Sequence, residues 1–315
     1  MNWKMGDRVE TREAYGEALL ELGRRRDDIV VMDADLQRSN KTFDFGQEHP
    51  ERFFDMGIAE ADMVCTAAGM AATGLTVFAT SFAMFLPGRA YDQVRLQLSY
   101  GRENVKIAGA SAGLTQGPDG ATHQCLDDIA LTRQLPNMTV LVPADATETY
   151  LAVLAAAEIE GPAYIRLGRY ATPVIFAEDY PFAIGAAPVV RPGEDVAIFT
   201  TGIMTALGLE TASILSDRGI EAAVLNVATI KPWNAATILD GAVGKKLCVS
   251  MEEHWISGGL GSAVAETLAE ERDTPPLLRI GVDDRYGQSA TADELLAHYG
   301  LTPEQMAEDI EKKLQ

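Results

Sequence analysis

A carboxylate stands where an apolar helix begins. The stretch Phe54-Asp55-Met56-Gly57-Ile58-Ala59-Glu60-Ala61-Asp62-Met63 ends an extended approach at Gly57 and Ile58, and small or apolar residues continue through Val64, Ala67, Ala68, Gly69 and Ala72. This pattern predicts a tightly packed helix with Glu60 in its first turn. Acids favour helix N-termini, so Glu60 reads either as a solvated first-turn residue or as a buried acid. The Gly/Ala-rich flanks favour burial, and a buried acid needs a partner able to share its proton. A second candidate is the loop of residues 113–124, which holds Gly113, Gly117, Gly120, Pro118, Asp119 and His123. Its glycines let the backbone approach a ligand closely, while Asp119 offers an acceptor and His123 a titratable donor. The same residues also suit a plain turn with a satisfied surface histidine. Further on, Gly258-Gly259-Leu260-Gly261-Ser262 opens a helix after a strand. Amides at such a start bind anions, but the spacing is no dinucleotide fingerprint and close strand–helix packing is preferred. His254 reads as a structural or subunit-interface residue.

The elements that must position these groups alternate along the chain. Helices are expected at residues 12–23, 59–73, 89–100, from the end of the Gly-rich loop to 135, and at 146–158. Strands are expected at 28–33, 75–80, 104–110, 138–142 and 163–167. Such alternation predicts a mostly parallel sheet covered on both faces. Residues 169–194 lose periodicity and collect Pro173, Pro181, Pro188 and Pro192, which marks a connection between domains. Beyond it the alternation resumes, with strands at 196–200, 222–227, 246–251 and 277–280. Helices are expected there at 204–218, 234–242, 258–270, 292–299 and 303–313. The fold class is therefore α/β with two doubly wound domains, 1–180 and a smaller, mostly parallel 181–315. In open parallel sheets, ligands sit beyond the carboxyl ends of the strands. The segments 35–40, 81–85, 111–124 and 166–169 all leave such ends in the first domain, and the site is expected there.

Composition narrows the class of function. A formal charge of -20 over 315 residues excludes a nucleic-acid binder held by a basic face. A small anion needs only a few well-placed arginines and stays compatible with that charge. Glu304, Glu308, Asp309 and Glu311 form a solvated helix face. No run of about 18 uncharged apolar residues spans a membrane, and residues 1–13 lack a signal-peptide core, so a soluble, cytoplasmic protein is expected. Cys65, Cys125 and Cys248 are scattered and read as three buried small hydrophobes in a reducing compartment.

Taken together the motifs are more specific. Asp33-Ala34-Asp35-Leu36-Gln37-Arg38-Ser39-Asn40, Gly57-Ile58-Ala59-Glu60, Ser81-Phe82-Ala83-Met84-Phe85, Arg89-Ala90-Tyr91-Asp92-Gln93, Asp119-Gly120-Ala121-Thr122-His123-Gln124 and residues 252–262 occur in this order and spacing. The set resembles the C-terminal half of transketolase, a pyrimidine-binding domain followed by the transketolase C-terminal domain, over roughly residues 12–280. It is similar to the stand-alone C-terminal subunit of a split transketolase, with 1-deoxyxylulose-5-phosphate synthase as a close relative. The resemblance implies thiamine diphosphate as cofactor and transfer of a two-carbon ketol unit from a ketose with a terminal anion to an aldose. Glu60 matches the glutamate that hydrogen-bonds the aminopyrimidine ring nitrogen and shares its proton, which leads to deprotonation of the thiazolium carbon. Phe82 and Phe85 match aromatics around the pyrimidine, with core filling as their alternative. Asp35 and Leu36 match cofactor contacts, and Asp119 and His123 match contacts to substrate hydroxyls. Arg12, Ser39 and Arg169 match the holders of the terminal phosphate, whereas Arg89 matches the phosphate-contacting arginine of the synthase.

Two departures qualify this. Transketolases usually carry a histidine where this chain has Gly109, so one anion or sugar contact is missing or replaced. The family's Gly-Asp-Gly…Asn segment for magnesium and diphosphate is also absent, since Gly117-Pro118-Asp119-Gly120 belongs to the substrate loop. The resemblance then implies that Mg2+ or Ca2+ and the diphosphate are held by an N-terminal transketolase subunit, in an α2β2 heterotetramer. Alternatives are a deoxyxylulose phosphate synthase-like or 2-oxo acid dehydrogenase beta subunit, or a non-catalytic scaffolding paralogue.

Overall fold

Strands such as Ile29–Asp33, buried along their whole length, need cover on both faces, and the chain supplies it by alternating them with helices. A computed structural model describes residues 1–315. Its first part runs β1 (Arg8–Glu10), α1 (Thr11–Arg25), β2 (Ile29–Asp33), α2 (Gln37–Asn40), α3 (Phe43–Glu48), β3 (Phe53–Asp55), α4 (Glu60–Ala71) and β4 (Thr76–Phe82). Next come α5 (Tyr91–Gln93) between two π-helical turns, Met84–Arg89 and Val94–Tyr100, then β5 (Val105–Ala110), α6 (Asp128–Arg133), β6 (Thr139–Leu141), α7 (Ala146–Glu158) and β7 (Ala163–Arg166). The connection holds β8 (Ala171–Pro173) and β9 (Val189–Arg191). The second part runs β10 (Val196–Thr200), α8 (Met204–Asp217), β11 (Ala222–Asn226), β12 (Thr229–Lys231), α9 (Ala235–Ala242), β13 (Leu247–Trp255), α10 (Leu260–Ala269), β14 (Leu277–Val282), α11 (Ala292–His298) and α12 (Pro303–Leu314).

Two mostly parallel sheets result, ordered β12-β6-β7-β5-β4-β2-β3 and β14-β13-β10-β11-β9, as the alternation predicts. The aperiodic connection is not structureless. β8 pairs antiparallel with β1 at the N-terminus, and β9 pairs antiparallel with β11. β12 is a larger departure, because it comes from the second half yet pairs antiparallel with β6 of the first sheet. A single apolar cluster accordingly joins Val30, Ile107 and Met138 to Phe199, Leu225 and Leu260. Three-residue strands carry too little periodicity to be read locally. Their register is set by the neighbour they complete.

Helix α4 starts at Glu60, as expected, and Ala67, Ala68 and Ala71 let it lie close to β4. Pro87 sits inside the turn Met84–Arg89, where a proline interrupts ordinary helical bonding and a wide turn absorbs it. Cys125 and Cys248 are buried, but Cys65 is exposed on α4, against the expectation of three buried thiols. It shares that face with Asp62 and Gly69, one helical repeat pointing away from the sheet.

Candidate active site

β2, β4, β5 and β7 are mutually parallel, so their carboxyl ends open on one side of the sheet. There β2 ends in Asp33, a fully buried acid whose Oδ1 accepts the Leu36 amide at 2.7 Å. Its Oδ2 accepts Asn40 Nδ2 at 3.0 Å and Thr42 Oγ1 at 2.7 Å. Burial pushes the Asp33 carboxyl up to about 6. These bonds shape the turn that displays Asp35 and Leu36. Asp35 is exposed and left-handed (φ 61°), a conformation aspartate tolerates better than most residues. Its amide donates to Asp55 Oδ1 at 3.0 Å, and Gln37 Nε2 donates to Asp55 Oδ2 at 3.1 Å. Leu36 is half-buried against the cluster of Tyr15, Phe78 and Phe82.

Glu60 is 2% exposed. It is the first residue of α4, and Ala59 before it makes no side-chain cap, so the carboxylate itself faces the positive end of the helix. The sequence leaves Glu60 without an evident partner; the fold supplies two. Arg89 Nη1 donates to Oε2 at 2.8 Å and Ser81 Oγ donates to Oε1 at 3.3 Å. The Arg89 guanidinium also lies 4.4 Å from the Phe85 ring centroid, with its side chain 49% exposed. Phe82 and Phe85 are stacked at 6.1 Å and 22°. His123 packs edge-on against both, at 6.2 and 5.3 Å, and its Nδ1 lies 3.0 Å from Thr122 Oγ1. Glu60, Phe82, Phe85, His123 and Arg89 thus form one group.

Arg12, Ser39, Asp119 and Arg169 form the other end. Arg12 Nη1 donates to the carbonyl and hydroxyl of Ser39 at 2.9 and 3.0 Å, while its Nε pairs with Glu10 at 2.7 Å. Arg169 pairs with Asp119 at 3.1 Å. The Gly168 amide donates to Thr11 Oγ1 at 2.7 Å, which brings the two arginine-bearing segments side by side. A cavity of about 350 Å3 opens between Arg8, Arg169, Tyr170 and residues 115–117. Arg89 is not part of this arginine group, although the sequence pattern pairs it with phosphate.

Gly109 has a steric cause. A Cβ there would fall 2.4 Å from the Tyr164 hydroxyl, and Tyr164 is fully buried with that hydroxyl donating to Asp128 at 2.6 Å. A side chain at 109 is excluded by this tyrosine. The Gly-rich start of α10 is likewise filled from within. Glu252 accepts the Leu260 and Gly261 amides at 2.7 and 2.8 Å, so packing, not a free anion, explains its glycines. His254 is fully buried, with Nδ1 2.6 Å from the Trp255 carbonyl oxygen, a structural placement.

Asp33, Asp55, Arg8 and Gln116, whose Nε2 donates to Asp119 Oδ2 at 2.5 Å, are given no role by the sequence reading, although Asp33 heads one of its motifs. Asp33 alone carries a signal, an acid at the end of an apolar strand.

Family models of the transketolase pyrimidine-binding domain and the transketolase C-terminal domain match residues 7–174 and 185–306. The chain belongs to the transketolase family. This is an enzyme family that depends on thiamine diphosphate. A putative transketolase C-terminal section of Methanocaldococcus jannaschii is 44% identical over 306 residues, 96% of each chain. The 6-deoxy-6-sulfo-D-fructose transketolase subunit of a Clostridium species is 40% identical, covering 94% of this chain and 91% of its own. Among solved structures, a split-gene transketolase described as an inactive beta4 tetramer superposes with TM-score 0.90 at 47% identity, covering 97% and 98%. These full-length matches place the chain among the C-terminal subunits of split transketolases.

Proposed function

We propose that this transketolase chain transfers a two-carbon ketol unit from a ketose with a terminal phosphate or sulfonate to an aldose, and does so only beside a subunit carrying the diphosphate-binding domain. One observation carries the cofactor half of this reading. The Arg89 guanidinium is a flat N–H donor that at once bonds Glu60 and lies over Phe85. An aminopyrimidine with a shared ring proton asks the same of these two residues, so the residues present fit thiamine diphosphate. Arg89, half exposed, is free to swing out as the ring enters. Asp35, Leu36, Phe82 and Phe85 would hold the pyrimidine, with Glu60 sharing the proton at its ring nitrogen. When bound, the cofactor supplies a nucleophilic carbon and an electron sink for breaking a bond next to a carbonyl.

His123 and Asp119 then address the sugar. His123, whose Nδ1 lies 3.0 Å from the Thr122 hydroxyl, would turn Nε2 to a substrate oxygen. Arg12, Ser39 and Arg169 would take the terminal anion, whose two oxyanion chemistries suit an arginine fork equally. Gly109, kept bare by Tyr164, favours a donor other than a standard pentose phosphate, and the sulfosugar transketolase among the relatives supports testing a sulfonate.

The partner half rests on the missing Gly-Asp-Gly segment and on an exposed apolar rim. Ile58 and Phe54, in the segment that leads into Glu60, are 75% and 37% exposed. A subunit docked there would bring diphosphate and Mg2+ or Ca2+ to the pyrimidine end, as an α2β2 heterotetramer in the cytoplasm, with the chain dividing near residue 180 into its two domains.

The test is reconstitution with a subunit bearing Gly-Asp-Gly…Asn, thiamine diphosphate and Mg2+. Glycolaldehyde transfer from xylulose 5-phosphate or 6-deoxy-6-sulfofructose is expected from the pair and from neither subunit alone. Turnover by this chain alone overturns the split reading, and CO2 release from pyruvate without ketol transfer overturns the reaction.

A further inference from the structure

The 113–124 loop is fastened at its roots by residues more than a hundred positions away, in the second domain. Glu253 lies on β13, is 3% exposed, and its Oε1 accepts the Thr115 amide at 2.5 Å. The fit leaves no slack. Gly113 is left-handed at φ 84°, and a Cβ there would fall 2.3 Å from the Glu253 carboxylate. Only glycine satisfies both demands. Arg166 ties the same strand to the loop's far end, since its Nη2 donates to the Glu253 carbonyl at 2.9 Å and to the Cys125 carbonyl at 3.4 Å, while its Nε pairs with Asp128 at 2.8 Å. The Gly113 amide donates to the Cys125 carbonyl at 2.9 Å, closing the neck. A second fastening comes from Gln124, whose Nε2 donates to the carbonyls of Gly117 at 3.1 Å and Gln288 at 3.0 Å, and from the Trp255 amide, which donates to Leu126 at 2.9 Å. Both roots are buried. Exposure is confined to the crown, where Pro118, Asp119 and Thr122 are exposed and His123 half-buried.

We infer that Glu253 is a positioning residue of the second domain, whose carboxylate fixes the root of the 113–124 loop and so sets where Asp119 and His123 meet the sugar. The inference rests on the proposed function of that loop. A carboxylate is a costly residue to bury. Burial pushes the Glu253 carboxyl up to about 7, Arg166 pulling it down and Asp128 pushing it up. An aliphatic residue would pack here without that cost but would leave the Thr115 amide without an acceptor. The chemistry the second domain contributes is therefore an acceptor held rigidly, one step removed from the substrate. Displacements of about 1 Å in such supports cost on the order of 100-fold in rate.

The experiment compares Glu253→Gln, which keeps an acceptor oxygen, with Glu253→Asp, which keeps the charge but falls short of Thr115, and with Glu253→Ala. Each full chain is reconstituted with its partner subunit. For Asp and Ala, kcat/KM for the ketose is expected to fall by about 10- to 100-fold, with thiamine diphosphate affinity within about twofold of wild type. Gln is expected to restore kcat/KM to within about threefold. Hydrogen exchange on the isolated chain reads the loop directly, with protection of amides 114–125 lost in Asp and Ala and kept in Gln. Should Ala fail to fold, Asp carries the comparison. A folded Asp variant with wild-type loop protection overturns the positioning role, whatever the activity. Wild-type complex without turnover, alongside the expected loss of protection, overturns the proposed reaction and leaves the positioning standing.

Discussion

Glu60 and Glu253 are both nearly inaccessible carboxylates, at 2% and 3% exposure, but the regions around them are built in opposite ways. Glu60 faces a rim. Its strongest partner is one half-exposed arginine on a π-helical turn, and apolar Ile58 and Phe54 lie open in the segment that leads into it. Glu253 sits in a junction where its partners are a backbone amide, a glycine that admits no other residue, and the buried Arg166–Asp128 pair. The rim offers a partner that is exchangeable; the junction offers partners that are fixed. The first arrangement suits the proton sharing with an incoming ring that we propose for Glu60, and the second suits the anchoring of a loop that we infer for Glu253.

The sharpest way to break this comparison is Glu60→Gln in the reconstituted complex. Turnover is expected to fall about a thousandfold or more, because an amide cannot share the proton. Thermal unfolding of the isolated chain should change little, since the half-exposed Arg89 can turn to solvent when its partner is neutral. Retention of a tenth of the activity would sink the catalytic assignment. In the junction the order of effects reverses. Arg166→Met takes from Asp128 its charged partner, leaving it only the Tyr164 hydroxyl, and removes one donor each from the Cys125 and Glu253 carbonyls. Loss of one partner of a buried pair costs about 3–5 kcal/mol. Urea unfolding should show that loss; a change within about 1 kcal/mol would mean that the junction is no more rigid than the rim.

Glu148 gives a smaller, pH-dependent contrast at another contact between α7 and the second domain. It reaches from α7 to accept Asn226 Nδ2 of the second domain at 2.7 Å and the Ala144 amide at 2.7 Å. Burial pushes its carboxyl from 4.5 up to about 7. Between those values the folded chain holds a proton that the unfolded chain has lost. Its contribution is therefore complete below about pH 4.5 and disappears as pH rises through about 7. Glu148→Gln lacks this loss, so between pH 5 and 8 its stability relative to wild type should improve by on the order of 2 kcal/mol. A flat difference across that range would show the carboxyl to be ordinary.

Much of the site was legible because its signals are local. An apolar strand ending in polar residues, an acid at a helix start and a Gly-rich loop each occupy a few consecutive positions, and α7 spans residues 146–158 in sequence reading and structure alike. Local signals fail where the deciding neighbour is distant. Nothing near Glu60 announces Arg89, nothing near Gly109 announces Tyr164, and nothing near Thr115 announces Glu253. Cys65 was misjudged for the same reason, because an apolar helix flank does not tell which face meets the sheet.

By itself, then, the sequence determined the α/β alternation, the strand ends beyond which a ligand is expected, and the family through motifs in a fixed order. These rest on periodicity and on residue types that only certain chemistry requires. Tertiary structure alone decided that Arg89 pairs with Glu60. It also decided that β12 completes the other domain's sheet, and that a second-domain carboxylate fastens the 113–124 loop. Hydrogen bonds and close packing act over a few ångströms in space, and the chain must fold before residues so far apart in sequence come within that range.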